Sequence, residues 1–426
     1  MHRLIADLYP ICRSITGDGV RQTLAHVRRH VPITVHEVPS GTKAFDWTIP
    51  HEWNVRDAYV ANARGERVID FRRHTLHLVG YSTPVRARMS LAELRPHLHS
   101  LPDRPDAIPY RTSYYRPAWG FCLPHRQLAA MPDGQYEVVV DSTLAPGHLT
   151  YGELLLPGQS RDEVLLSAHV CHPSLANDNL SGIALLTFLA AELAGRPRRK
   201  HSFRFLFAPG TIGAIAWLAR NESQAHRVRH GLVVSCVGDA GDFTYKRSRR
   251  GNACVDRAAT AVLAASGRPH RVIDFSPYGY DERQYCSPGF DLPVGLFMRS
   301  QYGTFPEYHT SADDLDFVRP AALDESFRAV LAVIEVLERN ATYVNLNPKC
   351  EPQLGRRGLY DGVAGRPAPK EFELALLWVL NLSDGGYDLL GIAERSAIPF
   401  ATIADAADAL AQAGLLRETG VHACRT

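Results

Sequence analysis

The chain is poor in the features that would place it in a specialised class. Its 426 residues hold only 8 cysteines, spread from Cys12 to Cys424 with no Cys-x-x-Cys pair. That excludes a zinc ribbon and argues against a disulfide scaffold, so reduced thiols are the simpler reading. No apolar run approaches the length needed to cross a bilayer. The opening "MHRLIADLYPICRSITG" has no long apolar core followed by a small-residue cleavage site. No signal peptide is expected, and a cytoplasmic location follows as the expectation. The net charge is only +2, which gives no global reason to bind nucleic acid or a membrane. The local run "KRSRR" (246–250) is most simply a solvated loop.

What is present is the balance of a globular protein, with 45% hydrophobic and 22% charged residues. The length exceeds one small core and predicts two or three domains. Helical spacing of Leu4, Ile5, Leu8 and Val20, Leu24, Val27, followed by the alternating "ITVHEV", predicts helix then strand over 1–40. Residues 41–145 read as a β-rich insert. "AYVANARGERVIDF" and "GQYEVVVDSTL" supply its strands, "SLAELRPHLHSL" is its one helical candidate, and its aromatics are expected to form its core. Residues 146–345 alternate buried strand and helix, from "DEVLLSAHV" to the long "AALDESFRAVLAVIEVLERN". That alternation predicts a mostly parallel sheet covered by helices, with ligands beyond the carboxyl ends of its strands. The long helix could bury its apolar face internally or in a homo-oligomer, and periodicity does not choose. A Pro/Gly-rich linker (346–365) leads to 366–426, whose helix-turn-helix rhythm is that of a winged helix. Its second helix carries Asp405 and Asp408 and no Lys or Arg. A packing or partner module is therefore favoured over DNA binding.

The polar residues gather at the expected strand ends. His169, His172 and Asp178 lie in "SAHVCHPSLANDNLSG", Asp239 in "SCVGDAGDF", Asp281 in "GYDERQY" and His309 in "PEYHTSADDLDF". A hydrolytic metal site needs His and carboxylate ligands from several such ends, with one position left open. Singly each residue is weak evidence. A loop histidine is usually just polar, and an Asp–Asn cluster before a helix is usually a cap.

In combination these motifs resemble the co-catalytic zinc aminopeptidases of clan MH. They are most similar to bacterial aminopeptidase-like-domain proteins that add a β insert and a winged-helix tail. "RSITGDG", "IPYRTSYY", "YGELLLPG" and "DERQYCSPGFDLPV" extend the likeness over nearly the whole chain. The resemblance implies one zinc held by His172 (or, as the alternative, His169), Asp178 and Asp239. It implies a second zinc sharing Asp178 with a Glu and His309, and an adjacent Glu as general base. Here the pattern breaks. The position of that Glu, in "FAPGTIGAIAWL", is Gly210. A lost base usually costs about 10²–10⁴-fold in rate.

Three outcomes stay open: a substitute base at Glu307 or Glu282, acyl transfer or cyclisation that needs no water base, or a catalytically silent binding protein. Related glutaminyl cyclases show that this scaffold tolerates one metal and cyclisation. Asp281, Arg283 and Arg299 are candidates to meet substrate, with Tyr280 and Tyr308 lining the pocket. A structural ion pair explains either arginine equally well. The expected substrate is a small-molecule amide or short peptide, in sugar or specialised-metabolite chemistry.

Overall fold

The computed structural model describes residues 1–360 and 370–419. The end of the expected linker (361–365) and both ends of the expected winged helix (366–369 and 420–426) lie outside the described residues. The chain divides into two units. The first is Met1–Arg249 with Ile273–Phe327, and the second is Arg250–Val272 with Arg328–Thr426.

In the first unit the apolar runs become the strands of an α/β sheet. Seven strands lie wholly in this unit, in the order Thr34–Pro39, His148–Leu156, Ser202–Ala208, Glu163–His169, Val228–Val234, Val294–Met298, Phe243–Lys246. Glu163–His169 pairs in parallel with both of its neighbours, and Val228–Val234 pairs in parallel with Val294–Met298. The outer strands run antiparallel. Every residue of Glu163–His169 and of Ser202–Ala208 is buried. Such strands read as continuous apolar runs because helices cover both faces. Glu163 and Arg204 are charged exceptions within them, and they satisfy each other at 2.5 and 2.8 Å.

The insert is a four-stranded antiparallel sheet, ordered Arg67–Asp70, Glu52–Ala61, Gln135–Ala145, Val85–Ser90. The expected helix in "SLAELRPHLHSL" shrinks to Leu91–Leu94, capped by Ser90 and Glu93. Pro96 stops it, since proline lacks an N–H and its ring clashes with the preceding turn. One apolar cluster joins the insert's Trp53, Val60 and Tyr136 to Leu165 and Leu206 of the large sheet. The insert and the sheet therefore bury a common core. Gly17 marks where they meet. Its φ is +96°, and a Cβ there would lie 2.2 Å from the Trp53 carbonyl oxygen, so only glycine fits.

In the second unit, three strands ordered Asp384–Asp388, Thr342–Asn345, Leu416–Thr419 accompany helices Lys370–Leu382, Leu389–Ser396 and Phe400–Gln412. This is a winged-helix arrangement. Asp405 and Asp408 of its last helix both accept from Arg339 at 2.8 Å. Among the described residues, no helix is long and apolar enough to cross a membrane.

Candidate metal centre

The large sheet delivers His169 at the end of its central strand. The chain then loops through His172 and returns to Asp178, ahead of helix Gly182–Ala194. His169 Nε2 lies 2.9 Å from Asp178 Oδ1 and 3.1 Å from His172 Nδ1. His172 Nδ1 is 3.5 Å from Asp178 Oδ2. His309 arrives from the loop before the long helix and sets its Nε2 3.0 Å from the same Oδ2. Its backbone takes a left-handed φ of 55°, uncommon for a side-chain-bearing residue. The donor atoms of His169, His172 and Asp178 all lie within 4.8 Å of one another. Two imidazole nitrogens 3.1 Å apart beside a carboxylate need a proton or a cation between their lone pairs. This donor set fits zinc, which takes imidazole and carboxylate ligands.

Asp178 is held from behind. The Asp313 carboxylate accepts the backbone N–H of Asn177 at 2.5 Å and that of Asp178 at 2.9 Å. Asn177 in turn donates to Asp239 at 2.8 Å. Asp239 also accepts from Ser300 Oγ and from the Gly241 N–H, each at 2.7 Å. The expected ligand Asp239 is thus placed in the layer that fixes Asn177, and among the described residues it does not join the histidine cluster. Tyr280 stacks on the His169 ring at 4.7 Å, and Tyr308 stacks on His309 at 4.0 Å. Tyr110, from the insert, sets its ring edge-on to His172 and His309 at 5.0 and 5.1 Å.

The charges have clear causes. Burial pushes the Asp178 carboxyl up, but His172, His169 and His309 together outweigh it and hold it well below its usual range. Burial, with the nearby Asp178 and Asp239 carboxylates, raises Asp313 well above that range against the two backbone amides it accepts. Burial also lowers His309, against the opposing pull of Asp178. Asp281 is the opposite of Asp178. It is fully buried, neither of its carboxylate oxygens has a hydrogen-bond partner, and burial beside Glu282 pushes its pKa to about 7. A Cβ added at Gly210 would lie 3.1 Å from His169 Cβ and 3.3 Å from Asp281 Oδ1. Position 210 therefore faces both the cluster and this unpaired acid.

The remaining expected residues are placed elsewhere. Glu282 is committed to Lys246, 2.8 Å away, and both side chains are fully buried. Lys246 thus leaves the expected solvated run "KRSRR" for the core. No hydrogen bond or ion pair joins the Glu307 side chain to the cluster; its backbone carbonyl serves Thr310. Arg299 is a structural tie to the Gly241 and Ala322 carbonyls and to Glu325. Arg283 Nε is buried without a partner. The support given by Asp313 was missed from the sequence, although it sits four residues beyond His309, where ordinary helix-entry acids also occur.

The family described as "Domain of unknown function (DUF4910)" matches residues 2–340, and winged helix-turn-helix matches residues 341–418. A Clostridium acetobutylicum protein described as "Putative polysaccharide biosynthesis protein with aminopeptidase-like domain" is 52% identical over 417 residues, 98% of this chain and 96% of that one. The crystal structure of a "putative peptidase" from the same organism superposes with a TM-score of 0.93 at 51% identity, over 98% of this chain and 96% of that chain. The zinc aminopeptidase BSAP from Bacillus subtilis gives a TM-score of 0.56 at 12% identity, over 78% of this chain and 93% of that one. At that identity the likeness is one of fold. The α/β unit is therefore aminopeptidase-like, and the chain belongs to the DUF4910 family, with a winged helix-turn-helix at its C-terminal end.

Proposed function

We propose that this chain is a zinc-dependent enzyme acting on an amide bond of a small molecule or short peptide, with Asp281 as its proton carrier. The observation that carries the reading is the meeting of His169, His172 and His309 on the single buried carboxylate of Asp178. Zinc bound there supplies a Lewis acid for a carbonyl oxygen. The protein's own groups do the rest. Asp313 fixes Asp178 through two backbone amides. Tyr280 and Tyr308 hold the planes of two imidazoles. Asp281 faces the space that Gly210 leaves beside His169, and it has no other partner to hold its proton. Glu282 pairs through Oε1 with the buried Lys246, which argues against it as the substitute base.

Gly210 favours a second form of the same chemistry, in which an amine rather than water attacks the carbonyl. Acyl transfer or cyclisation then asks less of a base. A silent binding protein is the third reading, but a drifted site would be expected to lose ligands along with its base. The name of the Clostridium acetobutylicum relative supports a role in sugar-polymer metabolism.

The test is turnover of amino-acyl amides by the zinc-loaded full chain, with and without an amine acceptor. Wild type is compared with Asp281→Asn at equal zinc. A loss of about 10²–10⁴-fold is expected in the variant. Unchanged turnover would remove Asp281 from the chemistry. No turnover by either protein, fully loaded, would favour the binding reading.

A further inference from the structure

The motif "RSITGDG" has no part in the metal cluster, yet its first five residues are buried. Loops ordinarily run over the surface, where water serves their polar groups. Here Arg13, Ser14, Ile15 and Thr16 are 1%, 3%, 2% and 2% exposed. Thr16 has a structural explanation, because its hydroxyl serves the Trp53 amide and Tyr81. Arg13 does not. Its Nε donates to the His172 carbonyl at 2.9 Å, and Nη1 donates to the Leu8 carbonyl at 2.7 Å and meets Thr23 Oγ1 at 3.5 Å. Every one of these acceptors is neutral. Nη2 is buried with no acceptor.

The groups that act electrostatically on the guanidinium are Cys12, Cys171 and Tyr110, none of them a carboxylate. Burial lowers the Arg13 pKa to about 10, which still leaves it charged at neutral pH. A buried cation without a counter-ion is costly unless an anion completes it. Hydroxyls gather around it. Tyr110 and Tyr114 place theirs 3.1 Å apart, and Ser14 lies beside Tyr114. Tyr110 is also the residue whose ring packs on His172 and His309. The unpaired cation and the metal centre therefore share two walls, the His172 loop and Tyr110.

We propose that Arg13, with Ser14 and Tyr114, is a subsite for a carboxylate carried by the substrate next to its reactive amide. Resting on the amide-bond reading above, this narrows the substrate class to N-acyl amino acids and short peptides with a free carboxylate. Arginine suits the task because its planar fork donates two hydrogen bonds to one carboxylate. Arg13 also ties the His172 loop to the first helix, so the probes must separate recognition from support.

The probes are N-acetylglycine and N-acetylglycinamide, which differ in the carboxylate. Each is titrated calorimetrically into the zinc-loaded full chain. N-acetylglycine is expected to bind more tightly, and Arg13→Gln to weaken it about 10–100-fold while leaving the amide unchanged. Arg13→Lys should fall between, since it keeps the charge and loses the fork. If Arg13→Gln does not fold, Ser14→Ala and Tyr114→Phe carry the test, each with a smaller loss confined to N-acetylglycine. No N-acetylglycine binding, no preference over the amide in wild type, or equal losses for both probes would overturn the subsite. Zinc content of the same samples keeps the two proposals apart. Zinc without carboxylate preference sinks the subsite alone, and carboxylate preference without zinc sinks the metalloenzyme alone.

Discussion

Asp178 and Asp281 are both fully buried at one end of one sheet, and their surroundings are opposite. Asp178 meets three imidazoles, and its own backbone amide and that of Asn177 are latched by Asp313. Asp281 meets nothing that can donate to it. The first is held well below the usual carboxylate range, and the second is raised to about 7. Burial is the same in both, so the partners decide the state of each acid. Paired environments of this kind are how one site comes to hold a fixed anion and a mobile proton.

The comparison can be broken from either side. The largest effect is expected from Asp178→Ala, which leaves three imidazoles with no common anion. Zinc affinity should fall by more than about 100-fold, the upper range for losing only an outer partner. Dialysis against a chromophoric chelator would read it. Asp313→Asn leaves Asp178 in place but removes one of two acceptors for the loop amides. A loss of about 10–100-fold is expected in the same assay. Zinc affinity equal to wild type would mean that Asp313 plays no part in shaping the centre.

Asp281→Asn sharpens the contrast through stability. Folded Asp281 keeps its proton to about pH 7, whereas the unfolded carboxyl loses it near 3.8. Between those values the folded state binds more protons, so this group's contribution to stability falls as pH rises, by at most about 1.4 kcal/mol per unit. His74 and His230, lowered by burial to about 4 and 3, work in the opposite direction, destabilising the fold as pH falls below about 6.5. Subtracting the variant's curve from the wild type's isolates Asp281. Denaturant melts of metal-free protein should show Asp281→Asn gaining on wild type from pH 4 to 8. Parallel curves would mean that Asp281 is paired in solution. The smallest effect is expected at Arg339→Ala in the second unit. Its exposed pairs with Asp405 and Asp408 are worth about 0–1 kcal/mol, and zinc content should not change.

The histidine–aspartate cluster was legible because its residue types gather within a few residues of strand ends. His169, His172, Asp178 and His309 could all be named from the sequence. Choosing between His169 and His172 was a false alternative in space, since both reach Asp178. Asp239 looked like a ligand because it follows a strand, but a strand end fixes only a neighbourhood. The hydrogen bond from Asn177 turns it into a support. Lys246 was read as part of a solvated run, and Arg299 was left open between a substrate contact and a structural ion pair, because their partners Glu282 and Glu325 lie 36 and 26 positions away. The α/β sheet and the β insert followed from apolar periodicity. The helix expected in "SLAELRPHLHSL" did not reach its expected length because Pro96 overrides local helical preference.

The acidic face of the last helix in the second unit now has a partner as well as a composition. Asp405 and Asp408 are both engaged with Arg339.

The most direct test of the central claim is zinc content by elemental analysis of the purified full chain, wild type beside Asp178→Ala. About one zinc per chain in the wild type and little in the variant is the predicted result. Equal zinc in both proteins, or none in either, would contradict a centre built on Asp178.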